Sequence, residues 1–284
     1  MKKIVSTLAI LLIAVFSAVL LSSCGGETIV PGSNWAQKET FIYNIIDNGT
    51  KLGTLTITSE KLDEGSYSVP EIREEPFKIT SAVMRGVRYE QIAKDNDGNI
   101  LMHSIGIMNG FSPLASYKKV NSNNRNFETR AYVDGKEYRY ATDGNNWKKI
   151  KIKPAQFIDN EILYMSMRSY SEIDSGYSKA ITVIDPYTGG QEKISAVASN
   201  DRNNFTVNYT DITEEQKSKT VSCISVSFTK STSPAGTPIV VWYTDSDFAV
   251  DGNYTASAIN QSRYIPVQII ENNLTYSLTS VIVE

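Results

Sequence analysis

Two short apolar runs, at residues 41–46 and 52–58, flank Asp47-Asn48-Gly49. Asn-Gly tolerates the positive φ of a tight hairpin turn, so the three segments predict an antiparallel hairpin. In the second run Leu55 and Ile57 alternate with Thr54, Thr56 and Thr58, as a strand with one buried and one wet face requires. The same grammar repeats down the chain. Strands are predicted at 79–84, 87–93 and 100–108, the last two joined by Asp95-Asn96-Asp97-Gly98. They follow at 127–133, 137–141 and 147–152, punctuated by Asp134-Gly135 and Asp143-Gly144. Beyond the middle they resume at 180–184, 192–198, 205–209, 221–229, 239–244, 263–270 and 274–283. One stretch breaks the pattern. After Pro154, Ile158, Ile162 and Met165 fall at helical spacing within residues 155–168, with Asp159 placed to cap a helix start. About fourteen strands with one or two short helices predict an all-β fold, a strongly curved antiparallel sheet or a barrel.

The N-terminus follows a different pattern. Lys2 and Lys3 precede an apolar run from Ile4 to Leu21, which reads as a signal peptide. Leu21-Ser22-Ser23-Cys24 resembles the lipobox of lipoprotein signal peptidase: an aliphatic residue, two small residues, then the cysteine whose thiol takes a diacylglycerol. Gly25 and Gly26 follow, with no Lys/Arg cluster to stop transfer. The chain therefore divides into a lipoprotein signal peptide (1–23), a lipidated flexible tether (24–37) and a single β-rich exported domain (38–284). Two or three acyl chains on Cys24 hold firmly where one would not, since each buried CH2 contributes about 0.8 kcal/mol. The expected location is extracytoplasmic, with the body tied to a membrane through Cys24. Residue 25 is Gly and not Asp, which favours the outer membrane where the host has two.

Composition narrows the chemistry. Cleavage before Cys24 removes 23 of the 284 residues, leaves 261, and moves the formal net charge from −3 to about −5. A chain without basic excess is not expected to bind nucleic acid. With Cys24 lipidated, Cys223 is the one remaining cysteine, so the mature chain holds no intramolecular disulfide. It lies in an alternating run and reads as a small, half-buried strand residue with nothing nearby to activate a thiolate. His103 is the one histidine, which rules out a multi-histidine metal site and leaves no obvious triad. It reads as a strand histidine. Asp95 to Asn99 has its Gly in the wrong place for a calcium loop and reads as a hairpin turn. Asp245, Asp247 and Asp251 read as a solvated loop. No nucleophile elbow, zincin, P-loop or dinucleotide motif is present, so no cofactor and no metal are expected. The 31 acidic residues leave a paired-carboxylate glycan hydrolase as a minor alternative. The 16 Tyr, 9 Phe and 3 Trp suit a packed sheet interior or a pocket for an apolar ligand.

Three segments together resemble a known family. Glu39-Thr-Phe-Ile-Tyr43 with Gly53-Thr-Leu-Thr-Ile57 is similar to its opening, and 159–168 followed by 180–185 to its middle. Val241-Trp-Tyr-Thr-Asp245, then Arg263-x-x-Pro266-Val267 and 277–281, is similar to its ending. The family is a widespread group of exported bacterial proteins catalogued as a domain of unknown function. The resemblance implies a barrel-like β body and carries over no catalytic residues. Arg263 and Asp245 lie in the family-like ending and are the candidate binding residues, with an ion pair between them as the structural alternative. The expected role is non-enzymatic: binding of an apolar ligand or an envelope protein. A structural or interaction lipoprotein without a pocket is the alternative.

Overall fold

The computed structural model describes residues 37–80, 86–110, 112–122, 125–153, 157–169, 173, 176–210, 215–232, 236–244 and 264–284. Their architecture is all-β. The strands in the first half are β1 (Lys38–Asp47), β2 (Thr50–Leu62), β3 (Gly65–Val69), β4 (Arg73–Ile79), β5 (Gly86–Asp95), β6 (Ile100–Asn109), β7 (Ser112–Ser122), β8 (Arg125–Asp134), β9 (Glu137–Thr142) and β10 (Lys148–Lys151). The second half adds β11 (Ile158–Asp159), β12 (Ser178–Asp185), β13 (Gly190–Thr210), β14 (Gln216–Lys230), β15 (Ile239–Thr244), β16 (Pro266–Glu271) and β17 (Leu274–Val283).

Fifteen of these strands form one sheet in the order β10-β9-β8-β7-β6-β5-β2-β1-β17-β16-β15-β14-β13-β12-β11. Neighbours are antiparallel except where β11 joins β12. The sheet curls on itself in two places. At its far end β13 bends at a register shift between Ala198 and Arg202, and Tyr209 and Thr210 pair in parallel with Val281 and Ile282 of β17. Elsewhere the β12–β13 turn meets the β8–β9 region. There Ile184 packs with Ala131, Tyr138, Tyr140, Ile152 and Phe157, and the Thr142 hydroxyl donates to the carbonyl of Tyr187 at 2.9 Å. The result is a barrel-like shell closed along this seam by side chains.

The hairpin grammar holds. Asn48 and Gly49 take φ of 47° and 83° between β1 and β2, as the Asn-Gly turn predicts. Asp95 closes its turn by accepting from the backbone N–H groups of Asp97 and Asn99, so the segment is a hairpin turn. Several expectations are corrected. The predicted strands at 192–198 and 205–209 are one bent strand, β13, because the polar residues between them continue the ladder across the bulge. The predicted strand at 79–84 reduces to Ile79, the last residue of β4; residues 81–84 lie outside the described set. Strands β3, β4 and β7 were not predicted. The β3–β4 hairpin lays Val69, Ile72, Phe77 and Ile79 against Ile105, Ile107 and Tyr117, on the outer face of β6 and β7. With the main core on its other side, β6 is buried on both faces.

The predicted helix is shorter than its periodicity suggests. Ile158 belongs to β11, and the helical residues are 160–169 in three single turns, 3-10, α and 3-10. Asp159 caps the first turn, accepting from the Glu161 N–H at 3.0 Å. Ile162, Leu163, Met165 and Met167 are buried in the main core with Phe41, Tyr43, Tyr89, Val226 and Tyr243. This segment is a plug inside the shell.

Candidate functional site

The plug is held by polar groups that the strand register brings into two rows. Gln91 of β5 sits opposite Ser104 of β6, which sits opposite Lys118 of β7. All three converge on Glu161. The Gln91 amide donates to its backbone carbonyl at 2.6 Å, while Ser104 Oγ and Lys118 Nζ reach its carboxylate at 3.3 and 3.0 Å. Burial works against the Lys118 ammonium, but the charge and hydrogen bond of Glu161 outweigh it and hold its pKa above the ordinary value. The adjacent row runs from Glu39 through Ser59, Tyr89 and Gly106 to Ser116. Ile162 packs directly over Gly106, where any side chain would collide with its Cγ2. Ser116 Oγ and the Tyr138 hydroxyl donate to Asp159 at 2.7 and 2.8 Å. At the other end Arg168 makes a two-pronged pair with Glu39 at 2.8 and 3.2 Å, both side chains buried, with the guanidinium 5.1 Å from the Phe41 ring centre. The plug thus crosses the strands at a steep angle, from β9 at Asp159 to β1 at Arg168.

Asp159 is the unusual titrating group. Burial, and then the charge of Glu161, push its carboxyl up to about 6, against the lowering effect of its three hydrogen bonds. It is buried and committed to holding the plug, as is the nearly buried Glu161 carboxylate.

A concave feature lies on the seam. Ile152, Phe157 and Ile184 form the apolar floor of a cleft of about 380 Å3, with Lys151, Lys153, Thr182 and Gln191 around it. The Gln191 amide reaches across to the Lys151 carbonyl at 3.4 Å, so the two sides of the cleft belong to opposite margins of the sheet. No single stretch of sequence could have shown it, because its walls are about thirty residues apart.

No protein-family model matches this sequence, and no curated protein matches it. Among solved structures the chain is similar to a beta-barrel-like protein of domain of unknown function DUF1849 from Brucella abortus. The identity is 7% and the TM-score 0.40, over 88% of this chain and 99% of that one. At that identity and score the likeness fixes no residue role, and the barrel-like shape described above rests on strand order and register.

The residues singled out from sequence divide clearly. Leu21, Ser22, Ser23 and Cys24 lie outside the described residues, as do Asp245, Asp247, Asp251 and Arg263. Cys223 is a strand residue as expected, but fully buried in the β14 core where half-burial was predicted. His103 is on β6 with its Nε2 2.8 Å from Glu90, which also pairs with Arg88, and its ring edge-on to Tyr117. Sequence reasoning missed the interior carboxylates, Asp159 as a wall contact and Glu161 altogether. The signal was the pair of acids at the start of an otherwise apolar helical run.

Proposed function

We propose that the mature chain is an extracytoplasmic lipoprotein, anchored through Cys24, that works by binding and takes an amphiphile with an apolar body in the seam cleft. The cleft carries this reading: an apolar floor of Ile152, Phe157 and Ile184 with two lysines beside it. Its size falls toward the lower end of the range of about 300–1,000 Å3 usual for small-molecule sites. Of the two readings of the aromatics, a packed interior or an apolar pocket, the described interior fits the first, packed around the plug, which moves the ligand reading from the middle of the shell to its seam. The lipobox-like segment supports the anchor, and where the host has two membranes Gly25 favours the outer one.

The packed interior is also the observation that favours the second reading, an envelope protein that meets a protein partner through its surface. A glycan hydrolase needs two carboxyl groups facing substrate in a cleft. Asp159 and Glu161 instead face the shell wall and accept its hydrogen bonds, so binding is the better reading.

Native mass spectrometry of residues 27–284, purified without added ligand and then incubated with lysophosphatidylglycerol, tests the proposal. The expected result is an adduct of one amphiphile per chain that weakens in K151E/K153E. An unchanged apo mass in both the parent and the variant would sink the cleft reading and leave a protein partner.

A further inference from the structure

Charge is unevenly distributed along this chain. Residues 118–153 carry ten Lys and Arg against four Asp and Glu, a net +6, in a chain whose formal net charge is −3. The remainder therefore carries −9. The register gathers most of this basic segment into one sector, β8-β9-β10, at a margin of the large sheet. Lys148, Lys149 and Lys151 are exposed on β10, with Lys153 just beyond. The sector's own acids are largely taken: Glu137 pairs with Lys149 and Arg139, Asp134 with Arg139, and Glu128 with Arg130. Among the described residues, Lys148, Lys151 and Lys153 have no carboxylate partner.

The same sector displays Trp147 on the outer face of the sheet, while Tyr187 lies against the opposite face of β8. Trp147 and Tyr187 are each 39% exposed. Trp147 stands edge-on to Tyr132 with Arg130 at 5.5 Å from its ring centre. Tyr187 stands edge-on to Phe127 with Arg125 at 5.5 Å. The Thr142–Tyr187 hydrogen bond places Tyr187 at the end of β9 from which the chain passes through Trp147 into β10. Lysines on an edge strand discourage strand addition, but that role does not call for an arginine-supported Trp beside them.

We infer that this sector is a membrane-facing surface that lies against an anionic phospholipid bilayer. Lys and Arg near such a surface are attracted by its negative potential. Trp settles at the headgroup level, where one end of the ring is wet and the other apolar. The inference builds on the lipid anchor, which keeps the body within reach of a bilayer, and it adds an orientation that the anchor alone does not give. Lys151 and Lys153 belong both to this surface and to the seam cleft, so the cleft opens beside the lipid from which an amphiphile would come.

The test uses the full chain, as matured in a host that processes lipoproteins, with vesicles of phosphatidylcholine, alone or mixed with phosphatidylglycerol, with bromine on the acyl chains as a fluorescence quencher. Co-flotation reads the anchor. The difference between the parent and Trp147→Phe reads quenching of Trp147 alone, with circular dichroism confirming that the variant is folded. The expected result is quenching of Trp147 only in the phosphatidylglycerol vesicles, lost at high salt and lost in K148E/K149E/K151E. A chain that floats with both vesicles while Trp147 stays unquenched overturns the surface and leaves the anchor standing. A chain that floats only with phosphatidylglycerol, through those lysines, overturns the anchor and supports the surface. A Trp147 signal that ignores vesicles but responds to poly-glutamate would assign the sector to an acidic protein instead.

Discussion

Asp159→Asn isolates the most unusual electrostatic feature of the interior. In the folded chain the Asp159 carboxyl is pushed from an ordinary 3.8 to about 6, chiefly by burial and then by Glu161. A folded-state pKa above the unfolded one means that the native state binds the proton more tightly. The ionised carboxyl therefore destabilises the fold: no penalty below about pH 3.8, a growing one through the window up to about 6, and the full penalty above it. The displacement corresponds to about 3 kcal/mol at neutral pH. Asparagine keeps the shape and remains a good N-cap. Its carbonyl can accept from the Glu161 N–H, while its NH2 donates to Ser116 and Tyr138, whose hydroxyls can rotate to accept. Urea unfolding of parent and variant at about pH 4 and about pH 8 measures the effect, because groups common to both cancel in the difference. The variant should gain about 2–3 kcal/mol on the parent between the two conditions. A variant that is less stable by the same amount at both pH values would refute the reasoning, and would show that Asp159 is well solvated or kept neutral by another route.

Three further outcomes follow from the plug and the proposed anchor. Gly106→Val should lower stability by about 1–3 kcal/mol through collision with Ile162, and Ile162→Ala in the same chain should return part of that loss in thermal unfolding. Removing one partner of the buried pair, as in Arg168→Met, should cost about 3–5 kcal/mol by taking the guanidinium away from the buried Glu39 carboxylate. The double change with Glu39→Leu should recover most of it in a double-mutant cycle of urea midpoints. Cys24→Ser should abolish incorporation of labelled palmitate and release of the mature form; labelling that persists would move the anchor elsewhere.

The sequence was most legible where local chemistry decides structure. Asn48-Gly49 and Asp95-Gly98 mark their turns because only a few residues tolerate those backbone angles or close such a loop with a carboxylate. It was least legible where the interior is polar. Strand β7 escaped notice because Ser116 and Lys118 face inward, where an apolar pattern would have betrayed a strand. Each is matched by a plug carboxylate more than forty residues away, so the reason for its polarity lies outside any local window. The same holds for β13, whose Ser-Asn-Asp-Arg-Asn-Asn stretch reads as a loop and is instead the bulge that turns the strand toward β17. The lysine run at 148–153 was plain in the sequence, but its place at a sheet margin, with Trp147 set against Tyr132 and Arg130, came only from the register.

The plug explains why the two functional readings separate in space. A shell of this kind offers two places for a ligand, its middle and its seam. The middle is taken by residues 160–169, tied down at Asp159, Glu161 and Arg168 by the two polar rows and one buried ion pair. Emptying it would strand several buried charges at once, each expensive to leave unpaired. A ligand that entered there would first have to replace those contacts, and an apolar one could not. Across the seam cleft the described contact is the neutral 3.4 Å hydrogen bond from the Gln191 amide to the Lys151 carbonyl, with no buried charge to strand among the described residues. Ile152, Phe157 and Ile184 line the cleft together with Lys151 and Lys153, and a molecule with an acyl body and an anionic head could occupy it without disturbing the plug. Binding that leaves Asp159→Asn and Gly106→Val unaffected beyond their stability losses or gains, yet responds to K151E/K153E, is the pattern that this separation requires.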